Sequence, residues 1–194
     1  MFRDLTKILS NESFVYPGDP ETQIKRVFTI KKDGYNLSEI KSSLHTSTHI
    51  DFPAHFIENG KTSSDFDDIN YFTGKVLIID LKDFPVKKAE NFDSVFIKTH
   101  NEKDKFLKNC NSISLDNLEF LIKNKIKFIG TDFYTIEPCL SRNFLFHKEL
   151  LKNNILIIEN LFLEEIENGI YEYFIFPVKI YNVEACFCRV AVKI

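Results

Sequence analysis

The sequence predicts a single α/β domain, a mixed β-sheet with helices on its outside, spanning residues 1–194. Three observations carry that expectation. The chain has 194 residues, the size of one domain and enough to bury roughly 70% of the surface its unfolded form exposes. Hydrophobic residues make up 44% of it, and twenty phenylalanines supply the large apolar pieces that the absence of tryptophan removes. Short apolar runs alternate with helix-spaced stretches in the second half, a strand-helix-strand rhythm.

The elements follow in order. Strands are expected at 4–9, 23–31 and 37–44, where apolar residues are separated by turns. Between the first two lies Tyr16-Pro17-Gly18-Asp19-Pro20. Proline presets its own backbone angle there, while glycine and aspartate tolerate conformations that others avoid, so a rigid lip is expected. The runs 75–80 and 94–99 have the length and composition of buried strands. Residues 114–125 place Leu115, Leu118, Leu121 and Ile122 at helical spacing, with Ser114 as N-cap. A strand at 127–131, a short helix at 144–153, a strand at 154–159 and two closing strands around Pro177 within 171–194 complete the set.

Composition also excludes function classes. A net charge of -3, a pI near 6.0 and interspersed rather than blocked charges give no basic field for nucleic acid. The first residues, Met-Phe-Arg-Asp-Leu-Thr-Lys, carry charges where a signal peptide needs an apolar core, and no run approaches the ~20 apolar residues of a membrane span. A cytoplasmic protein is the expectation. In that compartment Cys110, Cys139, Cys186 and Cys188 are expected as free thiols, the last two at alternate positions of one strand.

The densest chemistry is His45-Thr-Ser-Thr-His49-Ile-Asp51-Phe-Pro53-Ala-His55, which holds three of the five histidines. Imidazole nitrogens and a carboxylate oxygen are a ligand set for zinc or another first-row divalent ion. In an ideal strand His49 and Asp51 share a face, but His45 lies ~13 Å from His49, too far for one ion. An ideal helix joins i and i+4 and separates i and i+2. If the three share an ion, the chain bends near Ser47. Pro53 opposes helix continuation, so His55 falls outside that loop as a separate proton-exchanging group. Further ligands are sought elsewhere. His147 opens a helix-like segment, and Glu159 ends four aliphatic residues at a buried strand end, where an unpaired charge is costly. His100, the remaining histidine, reads as a loop residue.

With these pieces together the chain resembles, nearly end to end, the cyclase-like metal-dependent hydrolases, whose best-known activity is bacterial kynurenine formamidase. The family signature His-Thr-Gly-Thr-His-x-Asp-x-Pro-x-His corresponds to residues 45–55. Tyr16-Pro-Gly-Asp-Pro20 is similar to its Trp-Pro-Gly-Asp loop, and the segment from His147 to Glu159-Asn-Leu161 to its later His-x-x-Leu-Leu and Glu-Asn-Leu elements. Ser47 stands where the family has glycine, and Tyr16 where it has tryptophan. The resemblance implies a β-barrel-like core of the swivelling β/β/α type, assembled as a homodimer or higher oligomer. It implies two divalent ions, zinc or alternatively manganese. His45, His49 and Asp51 would hold one, His147 the other, with Asp51 bridging and Glu159 touching both.

The same resemblance makes His55 the general acid/base, and it places Tyr16 at the substrate. Phe52 and Phe56 are expected to join Tyr16 as an apolar wall for a flat substrate. The expected reaction is hydrolysis of a small-molecule amide, N-formylkynurenine to kynurenine and formate, by water that the ions acidify. The alternatives are a relative acting on another ring or amide, such as an isatin-type lactam, a cyclase or dehydratase, and a non-catalytic metal- or ligand-binding protein.

Overall fold

In the computed structural model, which describes residues 1–87, 89–101, 110–139 and 141–194, the sheet closes on itself. Its strands are β1 (Phe2–Asp4), β4 (His49–Asp51), β5 (Thr73–Asp80), β6 (Ser94–Lys98), β7 (Phe128–Thr131), β8 (Leu156–Glu159), β9 (Gly169–Pro177) and β10 (Ala185–Lys193). They run in the order β1-β10-β4-β8-β7-β6-β5-β9, and β9 also pairs with β10. Seven strands, β4 to β10, therefore form a closed mixed barrel, with β1 added to the edge of β10. The contiguous strands β5 to β8 are parallel and the remaining pairs antiparallel. Strand β10 achieves closure by dividing its length. Ala185–Phe187 pair with β4, and Cys188–Lys193 pair with β9.

Alternation along the strands separates two cores. One contains Ile50, Val76, Ile78, Phe96, Phe128, Leu156, Ile158, Tyr173, Ile175, Cys186 and Val190, drawn from all seven barrel strands, and fills the interior. The other contains the alternate residues Ile79, Val95, Ile97, Ile129 and Ile157 with Leu118, Leu121, Leu150 and Leu151 from the helices. Those helices are α2 (Leu115–Lys123) and α3 (Leu145–Lys152), so helices cover the outer face of the parallel strands. Ser114 caps α2 as expected, accepting from the Asn117 amide at 3.2 Å while Asn117 Oδ1 accepts from the Ser114 amide at 2.8 Å.

Three expectations need correction. The first strand spans only Phe2–Asp4: Leu5 still bonds Val190 and Phe162 through its backbone, but at Thr6 and Lys7 side chains interrupt the ladder. Val190 N donates to Thr6 Oγ1 at 2.9 Å, and Lys7 N donates to Thr48 Oγ1 at 2.9 Å. The second strand, β2 (Gln23–Phe28), stops before a four-residue helix, α1 (Ile30–Asp33), that ends at Gly34 with φ 82°. It pairs with β3 (Leu37–Lys41) as a separate two-stranded sheet. The third concerns the thiols. Cys110 and Cys139 are joined in a disulfide, their Cα atoms 5.6 Å apart and within bridging reach, whereas Cys186 and Cys188 are free and buried. Among the described residues no helix is long and apolar enough to cross a membrane.

Candidate metal centre

The strand pairing sets the site. Strands β4 and β8 run antiparallel with His49 opposite Glu159, Ile50 opposite Ile158 and Asp51 opposite Ile157. Ile50 and Ile158 fill the barrel, so His49, Asp51 and Glu159 project together onto the outer face, where α3 packs and brings His147. On α3 the buried residues are Phe146, His147, Leu150 and Leu151, so the apolar stripe that docks the helix also aims the imidazole at the strands.

His45 arrives by a bend. Ser47 has φ 56°, the left-handed conformation that glycine adopts without cost, and its hydroxyl donates to the Lys7 carbonyl at 3.0 Å. The bend expected at this position is therefore present, made by serine. It brings His45 Nδ1 to 3.0 Å from Asp51 Oδ1, and the His45 and His49 ring centroids to 5.3 Å.

Two groups of three ligand atoms result, His45-His49-Asp51 and Asp51-His147-Glu159, each with its atoms within 4.8 Å of one another and sharing Asp51. His49 Nε2 lies 3.5 Å from Asp51 Oδ1 and 3.6 Å from Glu159 Oε2. His147 Nε2 lies 3.2 Å from Glu159 Oε1 and 3.8 Å from Asp51 Oδ2. Donors held ~2.1 Å from a tetrahedral ion sit ~3.4 Å apart, the spacing seen here. His49 Nε2 and both Asp51 carboxylate oxygens are buried and complete no hydrogen bond among the described residues. Such orphaned polar atoms are costly unless something positive joins them. The donors are nitrogen and oxygen, suited to a divalent first-row ion.

The orienting contacts are as specific as the ligands. His49 Nδ1 lies 2.8 Å from the Ser47 carbonyl, which turns Nε2 toward the carboxylates. The Ile136 amide donates to Glu159 Oε1 at 2.8 Å, and Glu137 Oε1 lies 3.1 Å from His147 Nδ1. Glu184 Oε1 lies 3.4 Å from His45 Nε2. None of the three flanking residues Ile136, Glu137 and Glu184 was expected from the sequence. For Glu137 the signal available was an acid between Ile136 and Pro138 with no helical or strand pattern to solvate it.

Electrostatics are dominated by the shared carboxylates. Burial disfavours charge on His45, yet the carboxylates of Asp51, Glu159 and Glu184 together outweigh it and raise the imidazole to about 9. Burial likewise opposes charge on His147, but bonds to Glu137 and Glu159 raise it to about 10. Asp51 is pushed up by burial and pulled much further down, far below the ordinary carboxylate range, by His45 and His49. His55 behaves oppositely. Burial lowers it, and the neighbouring His45 and His147 add to the lowering, with Asp51 opposing. Its lowering favours the neutral imidazole at neutral pH.

His55 ends a short 3-10 turn, Pro53–His55, with its ring centroid 4.1 Å from His45 and 6.1 Å from His147. It lines a cavity of about 400 Å³ together with Tyr16, Asp19, Phe56, Phe144, His147 and Glu159. Tyr16 sits on the expected lip, where the Asp19 amide donates to the Tyr16 carbonyl at 3.0 Å across Gly18 at φ 104°. Phe56 lines the cavity, its ring tilted against that of Phe144 with centroids 5.1 Å apart. Phe52 does not. It is 1% exposed in the barrel interior beside Phe66, because it alternates with Asp51 and must face the other side. His100 is a loop residue far from these groups in the chain and pairs with Asp80.

A family model described as "Putative cyclase" matches residues 3–138. The chain is 28% identical over 201 residues to the kynurenine formamidase of Bacillus thuringiensis subsp. konkukian, covering 98% of this chain and 96% of that one. It is 38% identical over 190 residues to an uncharacterized protein, MJ0783, of Methanocaldococcus jannaschii, covering 94% and 93%. Among solved structures, one titled as a potential metal-dependent hydrolase with cyclase activity superposes with a TM-score of 0.77 at 25% identity, covering 99% and 96%. Isatin hydrolase A from Labrenzia aggregata shares the fold with a TM-score of 0.80 at 18% identity, covering 99% and 93%.

Two outcomes are expected. Replacing Ser47 by Gly removes the left-handed strain of about 1–2 kcal/mol and loses one hydrogen bond worth about 1 kcal/mol, so stability changes by less than about 1 kcal/mol. Ser47→Ala keeps the strain and loses the bond, and Ser47→Val adds a β-branch, so denaturant unfolding should rank Gly with Ser, then Ala, then Val. Ion uptake must displace protons from His45 and His147, which are protonated at neutral pH when their values are about 9 and about 10. Zinc affinity should therefore rise from pH 6 to pH 9, and calorimetry in buffers of different ionisation heat should show proton release at pH 7. Affinity independent of pH would contradict the raised values.

Proposed function

The chain belongs to the cyclase family, and from that premise we propose that it hydrolyses the amide of a small aromatic molecule using two bound divalent ions. One observation carries the reading, the buried Asp51, its oxygens without a hydrogen bond among the described residues, shared between two three-donor groups beneath an aromatic-walled cavity. His45, His49 and Asp51 would hold one ion and His147 the other, with Asp51 between them and Glu159 in reach of both. Bound there, divalent ions acidify water toward neutral pKa and polarise a carbonyl. Zinc is the ion to test first and manganese the second.

The side chains divide the remaining work. His55, neutral and facing the cavity, takes the proton from the attacking water and returns it to the amine nitrogen as the C–N bond breaks. Tyr16, Phe56 and Phe144 supply flat apolar walls that hold an aryl group and exclude water from the carboxylates. N-formylkynurenine is the substrate to test first, supported by the kynurenine formamidase likeness over the whole chain. Assembly as a homodimer belongs to the same reading. The β2–β3 hairpin leaves Ile30, Tyr35, Leu37 and Ile40 exposed, and a two-stranded sheet gains stability from a partner surface.

The test is a panel of aryl formamides, simple amides and isatin-type lactams, with metal content measured on the same samples. His55→Ala should retain the ions and lose turnover by about 100-fold or more, and Asp51→Ala should lose both. Full activity in the His55 variant removes it from the mechanism. Ions bound without hydrolysis of any panel member would instead favour a binding protein, and lactam hydrolysis alone would move the substrate to a cyclic amide.

A further inference from the structure

We propose that Glu137 is a positioning residue for the ion-binding imidazole of His147, fixing its Nδ1–H form so that Nε2 presents a lone pair to the shared carboxylates. The inference rests on the metal reading above and goes beyond it, because Glu137 lies outside both three-donor groups.

The geometry is specific. Glu137 is 2% exposed, and one of its oxygens, Oε1, accepts from the His147 backbone amide at 2.8 Å and lies 3.1 Å from His147 Nδ1. A carboxylate so placed accepts a proton-bearing nitrogen, which leaves Nε2, 3.2 Å from Glu159 Oε1 and 3.8 Å from Asp51 Oδ2, as the nitrogen that gives up its proton to an ion. The backbone contact anchors the same oxygen to the first turn of α3, so the acid cannot follow the ring if it rotates. Oε2 is also held, accepting from Ser141 Oγ at 3.3 Å.

The other deeply buried imidazole is oriented in the same way by a different group, since His49 Nδ1 lies 2.8 Å from the Ser47 carbonyl. Each ring therefore has one nitrogen tied outward and one aimed inward. The segment that carries Glu137 also orients Glu159 through the Ile136 amide. Its far end is fastened by the Cys110–Cys139 disulfide. Outer partners of this kind act on ion affinity through the ligand they hold, so the effect should be confined to the ion bound by His147.

The experiment compares zinc binding by the wild type, His147→Ala, Glu137→Gln and Glu137→Ala, using competition with a chromophoric chelator. Nitrogen NMR of labelled histidine rings reads the His147 tautomer, and circular dichroism checks folding. The wild type should bind two ions with His147 protonated on Nδ1, and His147→Ala should bind one. Glu137→Ala should bind one ion normally and the second about 10- to 100-fold more weakly, with the single tautomer lost. Glu137→Gln keeps an oxygen acceptor, so it should keep the tautomer and suffer a smaller loss of affinity. If the alanine variant does not fold, the glutamine variant decides. Unchanged affinity for both ions in the folded variants, or a His147 protonated on Nε2 in the loaded wild type, overturns the positioning role alone. A wild type that binds no ion overturns the metal reading itself.

Discussion

The structure is organised around one buried carboxylate, that of Asp51, whose charge is met among the described residues only by imidazoles. Asp51 is 1% exposed, and neither of its oxygens completes a hydrogen bond among the described residues, although two imidazoles lie within 3.5 Å of Oδ1. A charge in that position is tolerated only when positive charge converges on it. Every element near it serves the convergence. Strand β8 places Glu159 opposite His49, α3 docks through the stripe that contains His147, and the Ser47 bend returns His45. The closed barrel supplies the rigid face on which these groups stand, and its interior packing fixes which residues of β4 and β8 point outward.

Much of this was legible in the sequence because it is written in local spacing. The segment from His45 to His55 shows its donors directly, the need for a bend follows from strand and helix geometry, and Ser47 does make that bend. Glu159 was legible as a charge ending an aliphatic run, and Ser114 as a cap. Phe52 is placed otherwise than expected and Glu137 was not expected at all, for different reasons. Strand alternation already dictates that Phe52 faces away from Asp51, so the information was present and the expectation of a substrate contact ignored it. Glu137 lies in irregular chain, where no periodicity predicts direction, and its partner His147 is fixed only by how α3 docks. Barrel closure was equally hidden, since it depends on β10 dividing its pairing between β4 and β9, a long-range register that no local pattern encodes. The Cys110–Cys139 pairing is of the same kind, a consequence of loops meeting in space.

The split of the donors between residues 45–51 and 147–159 couples chain folding to site formation. The first half holds one three-donor group, but the second combines Asp51 with His147 and Glu159, so both groups exist only once β4, β8 and α3 have assembled. In the folded chain without ions, protons take over the neutralising role. His45 and His147 are raised to about 9 and about 10, above the 6.5 of an unfolded histidine. Groups raised in this way contribute stability fully below about pH 6.5, and that contribution disappears as pH climbs through their folded values. Bound ions change the sign of the dependence. They need the same nitrogens free, so their hold strengthens over the range in which the protons leave. On the proposed reading, protons and divalent ions would be alternative occupants of one electrostatic need set by Asp51 and Glu159. His55, lowered rather than raised, stands outside that exchange, which suits it to the proton-transfer role proposed for it.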